Sequence, residues 1–187
     1  MRYTASEYRA KGGGALLLEK AVIKRDNTPL LLAAVCEKAG EDEKRLLREM
    51  GEWFQNKAVP FVLSGKGDFS LLCEDPGMEG FTAKCGADGL GFVFAAGEKV
   101  FTAGENVFLI QKQFGKPALV SAGGEDGGFF EIDKTVTVLI TDGYKDYNKD
   151  ELDCLISADS GERMERAVLE VSCDKEENSF ICFRAQS

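Results

Sequence analysis

The chain has 187 residues, 44% of them hydrophobic and 29% charged, with a net charge of -9 and no histidine. A length of this order supports a full hydrophobic core without staples and suits one domain spanning residues 1–187. The acidic balance argues against sequence-independent nucleic-acid binding, which needs a cationic surface, and the missing imidazole excludes Ser-His and Cys-His catalysis and histidine-ligated zinc.

Any chemistry therefore has to come from carboxylates, lysines or hard cations held by oxygen. No apolar run approaches the ~20 residues that span a bilayer, and the opening MRYTASEYRAKGGG lacks the apolar segment of a signal peptide. The expectation is a cytoplasmic protein with no membrane or nucleic-acid partner. Cys36, Cys73, Cys85, Cys154, Cys173 and Cys182 are scattered without C-x-x-C spacing, which predicts reduced, mostly core cysteines.

In chain order, Ala15 to Ile23 and Leu30 to Cys36 are apolar runs divided by KRDNTP, a hairpin whose second strand is apolar throughout and so buried on both faces. In EDEKRLLREMGEWFQNKAV, the residues Leu46, Leu47, Met50, Trp53 and Phe54 recur at helical spacing behind an acidic start, one face of an amphipathic helix. VPFVL and FSLLCE read as short strands around the turn SGKGD, and GLGFVFAAGEKVFTAGENVFLIQK as a three-stranded antiparallel meander. SAGGEDGG is a loop and Val136 to Ile140 a strand. Asn148 with Glu151 forms a capping box, and Ser160 caps a second helix carrying Met164, Ala167, Val168 and Val171. NSFICFRA closes as a strand. This order is α+β with antiparallel sheets. The glycines of KGGGA do not lead from a strand into a helix, so they are no dinucleotide fingerprint.

The strand-to-helix stretch VLITDGYKDYNKDEL and the terminal ENSFICFRA resemble two motifs of the metal-dependent protein phosphatases of the 2C type, the PPM family. These are its Ser/Thr-Asp-Gly motif and its Asp-Asn strand. LLLAAVCEKAGEDEKRLLREM is similar to that family's segment leading into its first long helix, VFTAGENVFLI to its Gly-Asp-Ser-Arg hairpin, and RAKGGG to its first motif. The likeness runs in order along nearly the whole chain, with Thr-Asp-Gly the close match. It implies a four-layer αββα sandwich, two antiparallel sheets flanked by helices. It also implies a site between the sheets where four acidic residues hold two Mg²⁺ or Mn²⁺ ions and a bridging water that acts as nucleophile.

By that resemblance the four ligand positions fall on Gly14, Glu37, Asp142 and Glu177, so the metal-site candidates are Asp142, Glu37 and Glu177. Gly14 has no side chain to offer, and Lys38 stands where a glycine is expected, a cation able to replace a metal by pairing with Glu37 or Asp142. Arg9, five residues before Gly14, takes the place of the phosphate-binding arginine. Each has a plainer reading: a turn carboxylate at Asp142, exposed acidic residues at Glu37 and Glu177, a surface lysine at Lys38, and a salt bridge with Glu7 at Arg9.

Loss of Asp at three of four positions leads to the expectation of a degenerate phosphatase with no metal or only weakly bound Mn²⁺ or Mg²⁺. Such a pseudophosphatase would act by binding a phosphoprotein or a protein kinase partner. The competing expectation is a weakly active Mn²⁺- or Mg²⁺-dependent Ser/Thr phosphatase. A third is a structural module of a larger complex.

Overall fold

The computed structural model describes residues 1–186; Ser187 lies outside the described residues. Ten strands form two five-stranded antiparallel sheets. One sheet holds β2 (Leu16–Ile23), β3 (Thr28–Cys36), β4 (Leu90–Ala96), β5 (Lys99–Ala103) and β8 (Gly128–Glu131), side by side in that order. The other runs β1 (Arg2–Tyr8), β10 (Phe180–Gln186), β9 (Thr137–Thr141), β6 (Val107–Gln113) and β7 (Lys116–Ser121).

The predicted hairpin is present, with Leu16 opposite Val35 and Ile23 opposite Thr28. β3 is apolar throughout because both of its faces are covered. Leu30, Leu32, Ala34 and Cys36 lie beneath helices, while Leu31, Ala33 and Val35 lie between the sheets against Val138, Ile140, Ile181 and Phe183. Each leucine so buried contributes about 2 kcal/mol of transfer free energy.

The helices cover the outer faces. α1 (Glu41–Trp53) and α4 (Pro76–Asp88) pack on the β2–β8 sheet through Met50, Trp53, Met78 and Phe81, with α2 (Val59–Ser64) and α3 (Phe69–Cys73) beside them. α5 (Lys149–Ile156) and α6 (Gly161–Ser172) pack on the other sheet through Leu155, Met164 and Val168 against Leu139 and Phe180. The layers are helix, sheet, sheet, helix, the four-layer αββα sandwich expected from the sequence. Asn148 and Glu151 form the capping box, and Ser160 accepts from the Arg163 N–H.

Two local expectations are corrected, and one strand is found that the sequence pattern leaves unassigned. VPFVL and FSLLCE are helices α2 and α3; a π-helical turn at Phe54–Ala58 continues α1 into α2 and shifts the phase of the apolar residues by one. The meander is broken after two strands, because β6 leaves β5 and pairs with β7 and β9 in the opposite sheet. The polar opening segment is strand β1, paired along its length with β10. Among the described residues no helix is long and apolar enough to cross a membrane. Among the described residues no disulfide is formed; Cys36, Cys73, Cys85 and Cys182 are buried, and Cys173 is exposed.

Candidate functional site

β9 runs out from between the sheets and ends at Thr141, so the next residue, Asp142, stands at the sheet end. Thr141 fixes this corner: its Oγ1 accepts from the Gly143 N–H at 3.1 Å and is 3.0 Å from the Tyr147 hydroxyl. The loop beyond is tied down by Lys175, which is buried. Its ammonium donates to the Asp146 carbonyl at 2.7 Å and to both Glu151 carboxylate oxygens at 2.9 and 3.0 Å, and lies over the Tyr147 ring. Asn178 adds a hydrogen bond from Nδ2 to Asp146 Oδ2 at 2.6 Å.

Asp142 Oδ2 accepts the backbone N–H of Gly14 at 2.6 Å. Its other oxygen, Oδ1, is buried and has no hydrogen-bond partner. Burial holds the carboxyl above the usual carboxylate range, opposed by the Gly14, Ser179 and Asp142 backbone N–H groups and reinforced by the negative charge of Glu37. The Gly14 N–H dipole thus meets the Asp142 carboxylate where a two-metal site would supply cations.

Gly14 reaches this position because the loop between β1 and β2 presses its backbone into the sheet end. Gly12 N–H donates to the Glu176 carbonyl and Gly13 N–H to the Ala10 carbonyl, while Ser179 Oγ accepts from Ala10 N–H. A Cβ on Gly14 would fall far inside the contact distance of the Cys36 carbonyl oxygen and 2.8 Å from Asp142 Oδ2. The position that the resemblance assigns to a metal-binding aspartate therefore has room for no side chain at all.

The remaining candidates are spread out. Glu37 follows β3, is exposed and lies over Gly89, its N–H bonded to the Gly89 carbonyl. It lines a cleft of about 230 Å³ with Glu105 and Glu125. Glu177 is exposed beside Gly12, at a separate surface hollow with Asp146 and Glu176. Lys38 is exposed and contributes its carbonyl, which accepts the Ala15 N–H at 3.3 Å; among the described residues its ammonium forms no ion pair. Arg9 pairs with Glu7, its Nε 3.1 Å from Oε1. The structure thus brings Asp142 and Glu37 to one sheet end and joins neither Lys38, Arg9 nor Glu177 to them.

A binuclear Mg²⁺ or Mn²⁺ cluster does not fit these residues. Magnesium asks for a near-ideal octahedron of oxygens, whereas a backbone N–H points at Asp142 and the Cys36 carbonyl blocks a fourth ligand. Among the described residues no group of three or more His, Cys, Asp or Glu is placed to hold a metal ion. Sequence reasoning missed Glu105 and Glu125 beside Glu37. Glu105 sits inside the AGENV turn already singled out, but nothing local says that the turn packs near β3.

No protein-family model matches the chain, and no curated protein matches it in sequence. Solved structures match it in fold. The phosphatase 2C domain, with a regulatory fragment, of the cell fate determinant SpoIIE from Bacillus subtilis superposes with a TM-score of 0.59 at 12% identity, over 99% of this chain and 64% of that one. The RsbU and RsbW domains of Rv1364c from Mycobacterium tuberculosis give 0.60 at 8%, over 99% and 61%. The catalytic domain of the serine/threonine protein phosphatase PstP, in complex with two manganese ions, gives 0.53 at 12%, over 100% and 98%. The chain spans less than two thirds of the first two structures. At this level of identity the likeness concerns architecture: the chain has the fold of the 2C-type protein phosphatases.

Proposed function

We propose that this is a phosphatase 2C-like pseudophosphatase, inactive in phosphoester hydrolysis, that acts by binding a phosphoprotein or a kinase-pathway partner. The observation that carries the reading is the hydrogen bond from Gly14 N–H to Asp142 Oδ2, made where the Cys36 carbonyl bars any side chain. A lost ligand on an unchanged backbone leaves a vacancy that a water or a shifted carboxylate fills. Here the backbone itself fills the space. Arg9 supports the phosphate side of the reading: its ion pair with Glu7 is 60% exposed at the arginine, and such a pair is worth only about 0–1 kcal/mol, so a phosphate displaces Glu7 at little cost.

The test combines calorimetric titration of Mn²⁺ and Mg²⁺ with hydrolysis of p-nitrophenyl phosphate and of a phosphopeptide. The expected outcome is no saturable metal binding at the sheet end and no metal-dependent turnover. Binding of the phosphopeptide is expected to weaken in Arg9→Ala. Metal-dependent turnover abolished by Asp142→Ala overturns the proposal in favour of a weakly active metal-dependent phosphatase.

A further inference from the structure

The β6–β7 hairpin ends on Phe114-Gly115, a two-residue connection closed by the pair Gln113 and Lys116. Both residues have positive φ, 51° at Phe114 and 77° at Gly115, a turn whose fitting sequence is Asn-Gly. A bulky L-residue there is strained, and the Phe114 side chain is 105% exposed. The fold gains nothing from an aromatic ring held in solvent on unfavourable backbone, which points to a use outside the fold.

Charge singles out the same tip. From Asn106 to Gly124 the sequence has no Asp or Glu, and Lys112 and Lys116 flank the ring on a chain of net charge -9. Both lysines are exposed, and among the described residues neither forms an ion pair. The complement lies on the same molecule, at the other end of β6. There the cleft of about 230 Å³ is lined by Glu37, Glu105 and Glu125 together with Asn106, Leu90 and Cys85. A cavity of ~150 Å³ holds benzene, so this cleft has the volume for a phenyl ring, whose positive edge suits carboxylates around it. Tip and cleft are separated by the seven residues of β6, about 23 Å at ~3.3 Å per residue, so a molecule's tip does not enter its own cleft.

We infer that the Phe114 tip of one copy docks into the acidic cleft of a second copy, Phe114 in the cleft and Lys112 and Lys116 against Glu105 and Glu125. Two reciprocal contacts of this kind close a dimer. An anionic membrane is the poorer occupant, because the net charge of the chain opposes approach. The inference is independent of the metal question at Asp142.

Sedimentation velocity of the full chain over a wide concentration range, at low and high salt, tests it. The expected result is a monomer–dimer equilibrium that salt weakens. Phe114→Asn suits the turn and keeps the hairpin, so its circular dichroism and melting temperature stay at or above those of the parent while dimerisation weakens more than about tenfold. The double variants Lys112→Glu/Lys116→Glu and Glu105→Lys/Glu125→Lys each stay monomeric alone and associate when mixed, since mixing restores opposite charges at both contacts. A monomer at every concentration, dimerisation unchanged in Phe114→Asn, or no association of the mixed pair overturns the inference. So does a monomer that binds phosphatidylserine vesicles through Phe114.

Discussion

Replacing Gly14 by alanine tests how far the sheet end has been rebuilt. The added Cβ overlaps the carbonyl oxygen of Cys36, a fully buried residue at the end of β3, and stands 2.8 Å from Asp142 Oδ2. The close atom is backbone, so relief requires moving a strand end or the 10–15 loop. Overpacking of this kind costs about 1–3 kcal/mol. Moving the loop also breaks the Gly14 N–H bond to Asp142, a charge-assisted bond worth roughly 1.5–3 kcal/mol, and leaves a half-buried carboxylate whose other oxygen already lacks a partner. The expected destabilisation is about 3–5 kcal/mol. Equilibrium urea unfolding measures it: with a slope near ~2 kcal/mol per molar, the midpoint falls by about 1.5–2.5 M. Gly12→Ala is the internal control, since a Cβ there meets nothing nearer than Glu177 Cγ at 3.6 Å, and its stability should stay within about 0.5 kcal/mol of the parent. Equal midpoints for the two variants would refute the argument.

Asp142→Asn removes a charge that burial disfavours. Because the folded-state pKa of Asp142 lies above the ordinary 3.8, ionisation of Asp142 costs stability above the folded pKa, and that cost disappears as pH falls toward the unfolded value. The variant keeps an oxygen to accept the Gly14 N–H and is therefore expected to be at least as stable as the parent at pH 7, with any advantage shrinking as unfolding is measured nearer pH 4. Lys175→Ala strands the Glu151 carboxylate, 13% exposed, without its counter-ion; a loss of roughly 3 kcal/mol follows, of which Glu151→Gln in the same chain recovers part. Asn148→Ala removes the side chain that accepts the Glu151 N–H at 2.9 Å and costs about 1 kcal/mol in the same assay.

Much of the fold was legible because its signals are local. The Asp-Asn-Pro turn, the capping box at Asn148 and the all-apolar β3 each declare themselves within a few residues. The failures share a physical cause. VPFVL is five residues of no clear period, and the π turn before it erases the phase that would have extended the helix. β1 has a single fully buried side chain, Thr4, and pairs with a strand at the other end of the chain, so neither its pattern nor its partner shows locally. At the site, Asp142 at a strand end could be read from the sequence. Its meeting with Gly14 across 128 positions arises only from the packing of the two sheets.

The pairing of Arg2 with Gln186 and Tyr8 with Phe180 also sets an order of events. Among the described strands β1 is synthesised before the others, and its neighbour in the sheet, β10, after them. At ~5–20 residues per second, β1 waits on the order of 10–40 s with its backbone unmatched, while β2 to β5 and β8 can assemble without it. The N-terminal segment is polar and short on apolar side chains, RYTASEY, a composition that resists mispairing during such a delay. The contact that closes the sheet end, Gly14 on Asp142, is likewise made only after β9 has emerged, so synthesis builds the scaffold first and seals it late.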